Sequence, residues 1–560
     1  MEKIKNLLVR FKESGYLKKT ILSLLVGTAA AFIIFYVFLP PINPMYGGFW
    51  VYLTVTLAAY IIPFVGFEAP YVQIIQNKGG KKKINKGGLG LKKWQIIVLA
   101  VPLVILVLGL FISSEFLFAR EYADIIEVNE YDFATDMPES DEVTNIALMD
   151  TDSARALGSK FLGSLSDMIS QYTVSDYYTQ INYKGAPRKV SNLEYDGFFK
   201  WLGNRESGIP GMVMVDPVNS SAEYISFDKP LRYAESAYFN ENLERKLRFL
   251  YPTKIFNSIS FEVDDSGNPY YIVSCSIPQV MLFGAPDITE VIIFNPTDGT
   301  SEIMSVDKTP SWVDIVYTGD LAMQKYNWYG IYSGGFINSI IGNVGCKQAT
   351  DDFGYVVIDD DVWYFTGVTS LVSDDKSNIG FILTNARTGM YKFYPVIGAE
   401  EHSAMASAEG ELQEKGYVAS FPSLISVADQ PTYIMVLKDA DGNVRRYALV
   451  NVENYRIVAT ATTQAEAMNV YKKLLRQNDI DINDNVSEAT VTVARVDIVN
   501  VSNLATVYIT AEDKNVYKGY FDADESLILI NVGDKITVKY TAGTNEKIHV
   551  ISEWSFATEE

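Results

Sequence analysis

Three stretches of apolar residues interrupt the mixed hydrophobic and polar pattern in the first part of the chain. They run from Thr20 to Leu39, from Phe49 to Phe67 and from Gln95 to Phe118, and none contains Lys, Arg or Asp. An α-helix rises about 1.5 Å per residue, so about 20 apolar residues cross the hydrocarbon core of a bilayer. The pattern predicts a three-helix transmembrane anchor over residues 20–118.

Cationic residues flank these stretches unevenly. The tail 1–19 holds six Lys or Arg and the loop 68–94 holds seven, whereas Pro40–Gly48 holds none. By the positive-inside rule, the basic tail and the basic loop are cytoplasmic and the chain beyond Phe118 is outside. We therefore expect a multi-pass plasma-membrane protein with a cytoplasmic N-terminus, extracytoplasmic C-terminal domains and the lipid bilayer as one partner.

After the anchor the pattern changes to short alternating stretches. Residues 119–144 are acidic and show no sustained period, which predicts a linker. Residues 145–204 are dense in aromatic side chains and contain a predicted helix from about Ala154 to Leu165, preceded by the capping residue Asp150. They predict an α+β unit with its own core.

Hairpin signals recur through the middle of the chain. Each consists of a strand, a turn rich in Asp, Asn or Gly, and a second strand, because such turns need residues that tolerate positive φ. The four segments are Met212–Ser226, Val291–Val306, Phe381–Val396 and Thr432–Val450. A capping box at Thr463–Glu466 then opens an amphipathic helix. The pattern predicts two hairpin-repeat α+β domains, over 205–350 and 351–478.

Two of these hairpins follow an aromatic strand. Pro269–Tyr271 precedes the turn Asn295–Gly299, and Trp363–Tyr364 precedes the turn Asn385–Gly389. This arrangement resembles PepSY-type domains, which are small α+β modules found outside bacterial membranes. The resemblance covers residues 205–475 and implies a binding, inhibitory or scaffolding module of a bacterial envelope protein.

The last part of the chain is a series of short alternating strands between Glu488 and Trp554. Five or six strands at this spacing predict a small β-barrel of the OB or SH3 type over 486–556. The predicted fold class is therefore multi-domain: a helical transmembrane anchor, an α+β ectodomain of repeated antiparallel hairpin modules, and a C-terminal small barrel.

Net charge divides the chain in the same way as hydropathy. The first 94 residues hold 13 Lys or Arg and three Glu, so the formal net charge of −21 leaves about −31 for the remainder. Binding to phosphate backbones needs clustered cations, which only the anchor carries. The composition argues against nucleic acid as a partner.

Few residues could carry catalysis or hold a metal ion. His402 and His549 are the two histidines and fall in different predicted domains, so a Ser-His or zinc site is hard to build. The Glu-rich run around His402 is typical of a solvated helix, and Asp359–Asp361 is typical of a turn. We predict no enzyme activity and no catalytic, cofactor-binding or metal-ligating residue.

Two further signals concern metal binding and redox state. Asp479, Asp481 and Asn483 imitate the start of a calcium-binding loop, but the sixth position is not Gly, which favours a domain linker. Cys275 and Cys346 are the two cysteines, and the sequence leaves open whether they form a disulfide.

Anchoring helices, repeated hairpins and the lack of a catalytic set favour a membrane-anchored extracytoplasmic scaffold or protein-interaction module. Its expected partner is another protein or further copies of the chain. One alternative is a cell-wall glycan-binding or glycan-hydrolysing protein that uses facing carboxylates and the aromatic side chains of Trp328 and Trp363. Another is an accessory or sensor subunit of a membrane transport complex.

Overall fold

A computed structural model describes most of the chain. The described residues are 16–67, 89–140, 148–165, 168, 170–371, 377–440, 442–478, 480, 487–501, 504–521, 524–545 and 547–557.

Three helices among the described residues are long and apolar enough to cross a membrane. They are α1 (Tyr16–Phe38), α2 (Gly47–Ile61, continued by a 3₁₀ turn at Ile62–Phe64) and α3 (Lys93–Ile112). The helices α1 and α2 pack closely, since the Tyr60 ring lies beside Gly27 and the Ser23 hydroxyl donates to the Tyr60 carbonyl at 2.5 Å. The two-residue strands β1 (Gly66–Phe67) and β2 (Leu89–Gly90) pair between α2 and α3.

The segment after α3 contains short elements instead of a continuous spacer. These are α4 (Glu115–Ala123), β3 (Val128–Glu130) and α5 (Phe133–Asp136). The third apolar stretch is therefore divided: α3 ends at Ile112, and α4 begins after the pair Ser113–Ser114.

Four sheets follow in chain order; their successive strands pair antiparallel, and each sheet is accompanied by a helix on its N-terminal side. Sheet I has α6 (Thr151–Gly163), β4 (Tyr172–Val174), β5 (Thr179–Tyr183), β6 (Ala186–Tyr195), α7 (Phe198–Asn204), β7 (Ile209–Asp216) and β8 (Ser221–Leu231). Sheet II has α8 (Leu243–Leu250), β9 (Ile255–Val263), β10 (Pro269–Val280), β11 (Gly284–Phe294) and β12 (Ser301–Ser305).

The remaining two sheets are built in a similar order. Sheet III has α9 (Gly319–Tyr332), β13 (Lys347–Ala349), β14 (Gly354–Ile358), β15 (Asp361–Ser370), β17 (Gly380–Asn385) and β18 (Tyr391–Tyr394). Sheet IV has α10 (Glu401–Gly410), β20 (Val418–Ala419), β21 (Ser423–Val427), β22 (Gln430–Lys438), β23 (Val444–Asn451) and β24 (Val458–Ala461), followed by α11 (Gln464–Gln477). The short pair β16 (Ser377–Asn378) and β19 (Gly398–Ala399) lies beside them.

The predicted hairpins correspond to neighbouring strands in these sheets. The first three are β7–β8, β11–β12 and β17–β18, and each joins the third long strand of its sheet to the fourth. The fourth, Thr432–Val450, is β22–β23 and joins the second long strand to the third. In sheet IV the third-to-fourth connection begins at Asn451, whose side-chain oxygen accepts the Asn454 N–H at 2.7 Å.

Residues 119–144, which the sequence predicts as a linker, enter the body as far as the structure describes them. Strand β3 adds to the edge of sheet III in parallel with β18, with Val128 opposite Tyr391. The Glu139 carboxylate accepts the backbone N–H groups of Ala428 and Asp429. A three-residue strand is too short to show a period, so the sequence pattern did not indicate it.

Apolar side chains form cores shared between neighbouring sheets. One core joins sheets I and II and includes Val213 from β7 and Phe294 from β11. Another joins sheets III and IV and includes Phe381 from β17 and Tyr433 from β22. Helix α9 places Tyr326 in a third core with sheet III.

The C-terminal strands close into a five-stranded barrel, as the alternating pattern predicted. They are β25 (Ser487–Val501), β26 (Leu504–Ala511), β27 (Val516–Tyr520), β28 (Lys535–Asn545) and β29 (Ile548–Phe556), in the order β25-β26-β27-β29-β28. Val507, Ile509 and Ile536 are fully buried in its interior.

Candidate functional site

The body rests directly on the end of helix α1. Arg245 of α8 donates from Nε to the Tyr36 carbonyl at 3.2 Å, and its guanidinium lies 4.4 Å from the centre of the Tyr36 ring. The Phe249 ring contacts the Phe35 ring at 5.3 Å. In the loop after α1, the Ile42 N–H donates to the Pro252 carbonyl at 2.7 Å. The helix that accompanies sheet II is thus fixed to the apolar helix α1 by polar and aromatic contacts.

A second contact fixes the body to the end of helix α3. The Ser113 hydroxyl oxygen accepts the N–H groups of Leu282 and Phe283 at 3.1 and 3.0 Å. The Ser113 carbonyl accepts the Tyr122 hydroxyl at 2.5 Å, and the Tyr122 ring packs on Trp328 at 5.0 Å. The break between α3 and α4 is therefore bound by hydrogen bonds to the turn between β10 and β11.

A pocket lined by aromatic and cationic side chains opens beside the first of these contacts, with a volume of about 530 Å³. We call it the aromatic–basic pocket. Four short elements supply its walls: α7, the segment after β8, the 3₁₀ turn Phe239–Glu241 and α8. Its main lining residues are Trp201, Arg205, Arg232, Tyr233, Tyr238, Phe239, Glu241, Arg245 and Lys246.

Helix capping places two of the cations. The Asn242 side-chain oxygen accepts the Arg245 N–H at 3.1 Å and so begins α8 at Leu243. The first turn of α8 then carries Arg245 and Lys246 side by side at the pocket wall. Arg245 Nη1 also donates to the Phe239 carbonyl at 2.7 Å, which ties α8 to the 3₁₀ turn.

The charge of the pocket is opposite to that of the body. Glu241 is the one carboxylate among the lining residues; it lies 3.6 Å from the Arg232 guanidinium and accepts the Trp201 indole N–H at 3.1 Å. The Arg205 guanidinium lies 5.5 Å from the Trp201 ring, and Lys246 Nζ lies 5.2 Å from the Tyr233 ring. Four cations facing one carboxylate make the pocket suited to anions.

The rim of the pocket is aromatic and strained. Phe239 has a positive φ of 53° although it carries a side chain, and 57% of its surface is exposed. Its ring lies 5.7 Å from Trp201, and Tyr238 lies 5.4 Å from Trp201. Backbone strain of this kind and exposed aromatic rings are concentrated where proteins bind ligands.

A pair of carboxyl groups lies buried where sheets I, II and III meet. The two Glu262 oxygens accept the N–H groups of Asp314 and Ile315 at 2.8 and 3.1 Å, and Asp314 Oδ2 accepts the Asn182 N–H at 2.8 Å. Burial raises the pKa of both carboxyl groups, and the Glu262 charge raises the pKa of Asp314 further. Neither group faces a cleft, since Glu262 is fully buried and Asp314 nearly so. The pair joins β9 of sheet II to β5 of sheet I and to the segment before α9.

The candidate catalytic and metal-binding residues of the sequence lie in different parts of the structure. His402 lies exposed in the first turn of α10, and His549 packs against Tyr540 in the barrel with tilted ring planes and 4.5 Å between ring centres. The described residues contain no cluster of three or more His, Cys, Asp or Glu that could hold a metal ion. Asp479, Asp481 and Asn483 lie outside the described residues.

The Asp361 side chain stabilises a turn of sheet III. Its carboxylate accepts two hydrogen bonds from the Arg387 guanidinium, at 2.9 and 2.8 Å, and one from the Asn385 amide at 2.9 Å. Such a bidentate pair fixes the third-to-fourth strand turn of sheet III to the start of β15.

The two cysteines and the two Trp side chains considered for sugar binding, Trp328 and Trp363, are buried. Cys275 and Cys346 are both free, and burial raises the pKa of the Cys275 thiol to about 12. Trp328 and Trp363 are 7% and 5% exposed, so their rings face the core and not a sugar-binding surface.

The aromatic–basic pocket has no counterpart among the residues predicted from the sequence. Its cations lie between Arg205 and Lys246, a stretch that the acidic average of the body conceals. The signal in the sequence is local: Arg232–Tyr233, Tyr238–Phe239 and Arg245–Lys246 place three aromatic and three cationic residues within 15 positions.

Comparison with known proteins gives no family. No family model matches the chain, and no curated protein matches it. Among solved structures, an ancestral GH74 enzyme aligns at 9% identity and a TM-score of 0.16, covering 60% of this chain and 40% of that enzyme. The Synechocystis apocarotenoid oxygenase aligns at 8% identity and a TM-score of 0.15, covering 52% of this chain and 65% of the other. The chain thus spans less than two thirds of either protein, and likenesses at these TM-scores carry no argument about its function.

Proposed function

We propose that this protein is a membrane-anchored scaffold of the bacterial cell envelope, whose extracytoplasmic body binds another protein or further copies of the chain. The observation that carries the proposal is the firm seating of the body on its anchor. Arg245 contacts Tyr36, Ser113 binds the β10–β11 turn, and β3 pairs with β18. These contacts restrict movement of the body relative to the anchor. A body held in this way presents a fixed surface at the membrane.

Similar local geometry in successive sheets supports a modular body of the PepSY type. In sheets II, III and IV, a turn joins the third long strand to the fourth. The backbone carbonyl of the second residue of this turn accepts N–H groups from the segment that precedes the helix of the same sheet. The donors and acceptors are Arg232 and Tyr233 with Pro296, Val316 and Tyr317 with Ala386, and Ala399 with Val452. We infer that each helix and the sheet that follows it form one module, and that the modules pack in series.

The glycan-hydrolase alternative finds little support in this geometry. It requires facing carboxylates and aromatic rings that are open to a polymer. The carboxyl pair Glu262 and Asp314 is buried, as are Trp328 and Trp363.

An exposed apolar patch on the barrel offers a surface for a partner. Ile528 and Leu529, at the end of the 3₁₀ turn Glu525–Leu529, and Val532, just after it, are all exposed. Apolar side chains that cluster on a soluble face commonly mark protein contacts.

The test is purification of the full-length protein from its own membranes in mild detergent, with mass spectrometry of the intact particle. We expect a stoichiometric protein companion or a fixed homo-oligomer. Leu529→Lys should reduce that association, and Ser487→Lys, which adds the same charge at an exposed barrel site, should leave it unchanged. A lone monomer would refute the scaffold proposal.

A further inference from the structure

We propose that the aromatic–basic pocket binds the phosphate of an anionic phospholipid headgroup in the leaflet next to the body. The inference does not depend on the scaffold function, because it rests on the pocket and on its position beside the membrane helices.

The height of the pocket follows from its contact with α1. Arg245 lines the pocket and also donates to the carbonyl of Tyr36, two residues before the end of α1 at Phe38. Phe249, another lining residue, packs on Phe35. The end of a membrane helix lies at the level of the headgroups, where Tyr and Trp side chains are also enriched. The pocket therefore opens where lipid phosphates lie.

A second group of contacts places the same face of the body against the lipid. The helices α1 and α3 run in the same direction because α2 returns between them, so Tyr36 and Ser113 lie at the same side of the bilayer. Near the end of α3, Phe336 contacts Phe116 at 5.1 Å between ring centres. Exposed apolar side chains continue from Phe336; they are Ile337, Ile340, Ile341 and Val344, with exposures from 61% to 80%. Such residues fit an acyl-chain boundary.

The chemistry of the pocket selects for phosphate. Guanidinium groups offer paired N–H donors that match phosphate oxygens, and Lys adds a point charge. Arg205 and Lys246 take part in no ion pair among the described residues, so their charge is available to a ligand. The net negative charge of the rest of the body disfavours anions outside such a cluster of cations.

The first experiment measures the thermal unfolding of the full-length protein in mild detergent with three additives at equal concentration. These are short-chain phosphatidylglycerol, phosphatidylcholine of the same chain length, and inorganic phosphate. We expect phosphatidylglycerol alone to raise Tm in a saturable way. Equal stabilisation by phosphatidylcholine would overturn recognition of the anionic headgroup. Equal stabilisation by inorganic phosphate would overturn the lipid as the source of the phosphate.

The second experiment repeats the titration with Arg205→Ala/Lys246→Ala. We expect roughly tenfold weaker binding of phosphatidylglycerol, because each cation near a membrane surface contributes to anion attraction. The matched control, Lys160→Ala/Lys308→Ala, removes two exposed cations outside the pocket and should bind as the unaltered protein does. Unaltered affinity in the pocket variant would contradict the proposal.

A single variant keeps the test decisive if the double variant fails to fold. Arg205 is exposed and follows the end of α7, so Arg205→Ala preserves the packing of the pocket walls. We expect about threefold weaker binding of phosphatidylglycerol. The same affinity as the unaltered protein in this correctly folded variant would overturn the assignment of the pocket.

Discussion

Two carboxyl groups in the interior, Glu262 and Asp314, make the stability of the body depend on pH. Glu262 accepts three hydrogen bonds, from Asp314 N–H, Ile315 N–H and the Ser260 hydroxyl, but burial outweighs them and raises the pKa of its carboxyl group. Burial disfavours the ionised form of Asp314 and the neighbouring Glu262 carboxyl adds to this effect, so the pKa of Asp314 lies well above that of an ordinary Asp. The folded protein thus binds a proton that the unfolded chain releases at lower pH.

Asp314→Asn should flatten the pH dependence of unfolding. The pKa of Asp314 is raised in the folded state, so its contribution to stability is present below the ordinary Asp pKa and is lost as pH rises through the raised value. We expect the fall in Tm between about pH 5 and pH 9 to become shallower in the variant. Thermal unfolding across this range measures it, with Asp307→Asn at an exposed site as the control. An unchanged slope would contradict the assignment.

Gly389 illustrates how one turn can be sensitive to a single methyl group. It has a φ of 72°, and an added Cβ would lie 2.8 Å from the Tyr317 ring. Gly442 has a similar φ of 80°, but an added Cβ there meets nothing within 4 Å. The two positions share the backbone constraint and differ in packing.

Gly389→Ala should therefore destabilise the protein more than Gly442→Ala. Both changes incur about 1 kcal/mol for an L-residue in the left-handed region. Gly389→Ala must also displace the buried Tyr317 ring, so we expect a total of about 2 kcal/mol or more. Chemical denaturation compares the two variants, and equal losses would show that the ring contact contributes nothing.

At the scale of elements, strand β3 joins the anchor to sheet III. Its last pairing residue is Glu130, and the following Tyr131 N–H donates to the Phe393 carbonyl at 2.9 Å. Tyr131→Pro removes this donor, whereas Tyr131→Ala removes the ring and keeps the donor.

We expect Tyr131→Pro to lower the free energy of unfolding by about 1 kcal/mol more than Tyr131→Ala does. Limited proteolysis should also cut residues 119–140 faster in the proline variant, because the strand leaves the sheet edge. Denaturant titration and mass spectrometry of the fragments measure the two effects. Identical behaviour of the two variants would mean that the hydrogen bond does not hold β3.

The elements that the sequence predicted are those with long periodic patterns. The apolar helices and the alternating barrel strands have enough residues for a period to appear, and the structure contains both. Strand β3 has three residues, and its pairing partner lies more than 250 positions away. Long-range pairing of so short a strand leaves no local pattern.

The candidate site was hidden for a related reason. Its walls are α7, a loop, a 3₁₀ turn and the first turn of α8, none of which is chemically unusual alone. The pocket arises only when folding brings Arg205 to the same space as Lys246. The formal net charge after the first 94 residues is about −31, so the overall composition does not reveal these four cations.

At the scale of the molecule, the uneven charge of the anchor predicts the orientation of the whole chain. The loop 68–94 carries seven cations, and the body carries a large negative charge. Cations close to membrane helices are retained in the cytoplasm.

Cysteine labelling of intact cells tests this orientation. Cys275 and Cys346 are buried, so a new surface thiol should dominate the signal of the folded protein. We expect Glu512→Cys in the barrel to react with a membrane-impermeant maleimide, and Lys82→Cys in the basic loop to react only after permeabilisation. The reverse pattern would invert the topology.

The parallel pairing of β3 with β18 also has a mechanical consequence. The anchor is attached to the N-terminal end of β3, and the chain beyond β18 leads toward the barrel. A load applied between the membrane and a partner on the barrel would pull these two parallel strands in opposite directions along their length. Their hydrogen bonds would be strained together in shear instead of opening one after another. The short strand β3 is thus placed to resist tension between the membrane and the barrel.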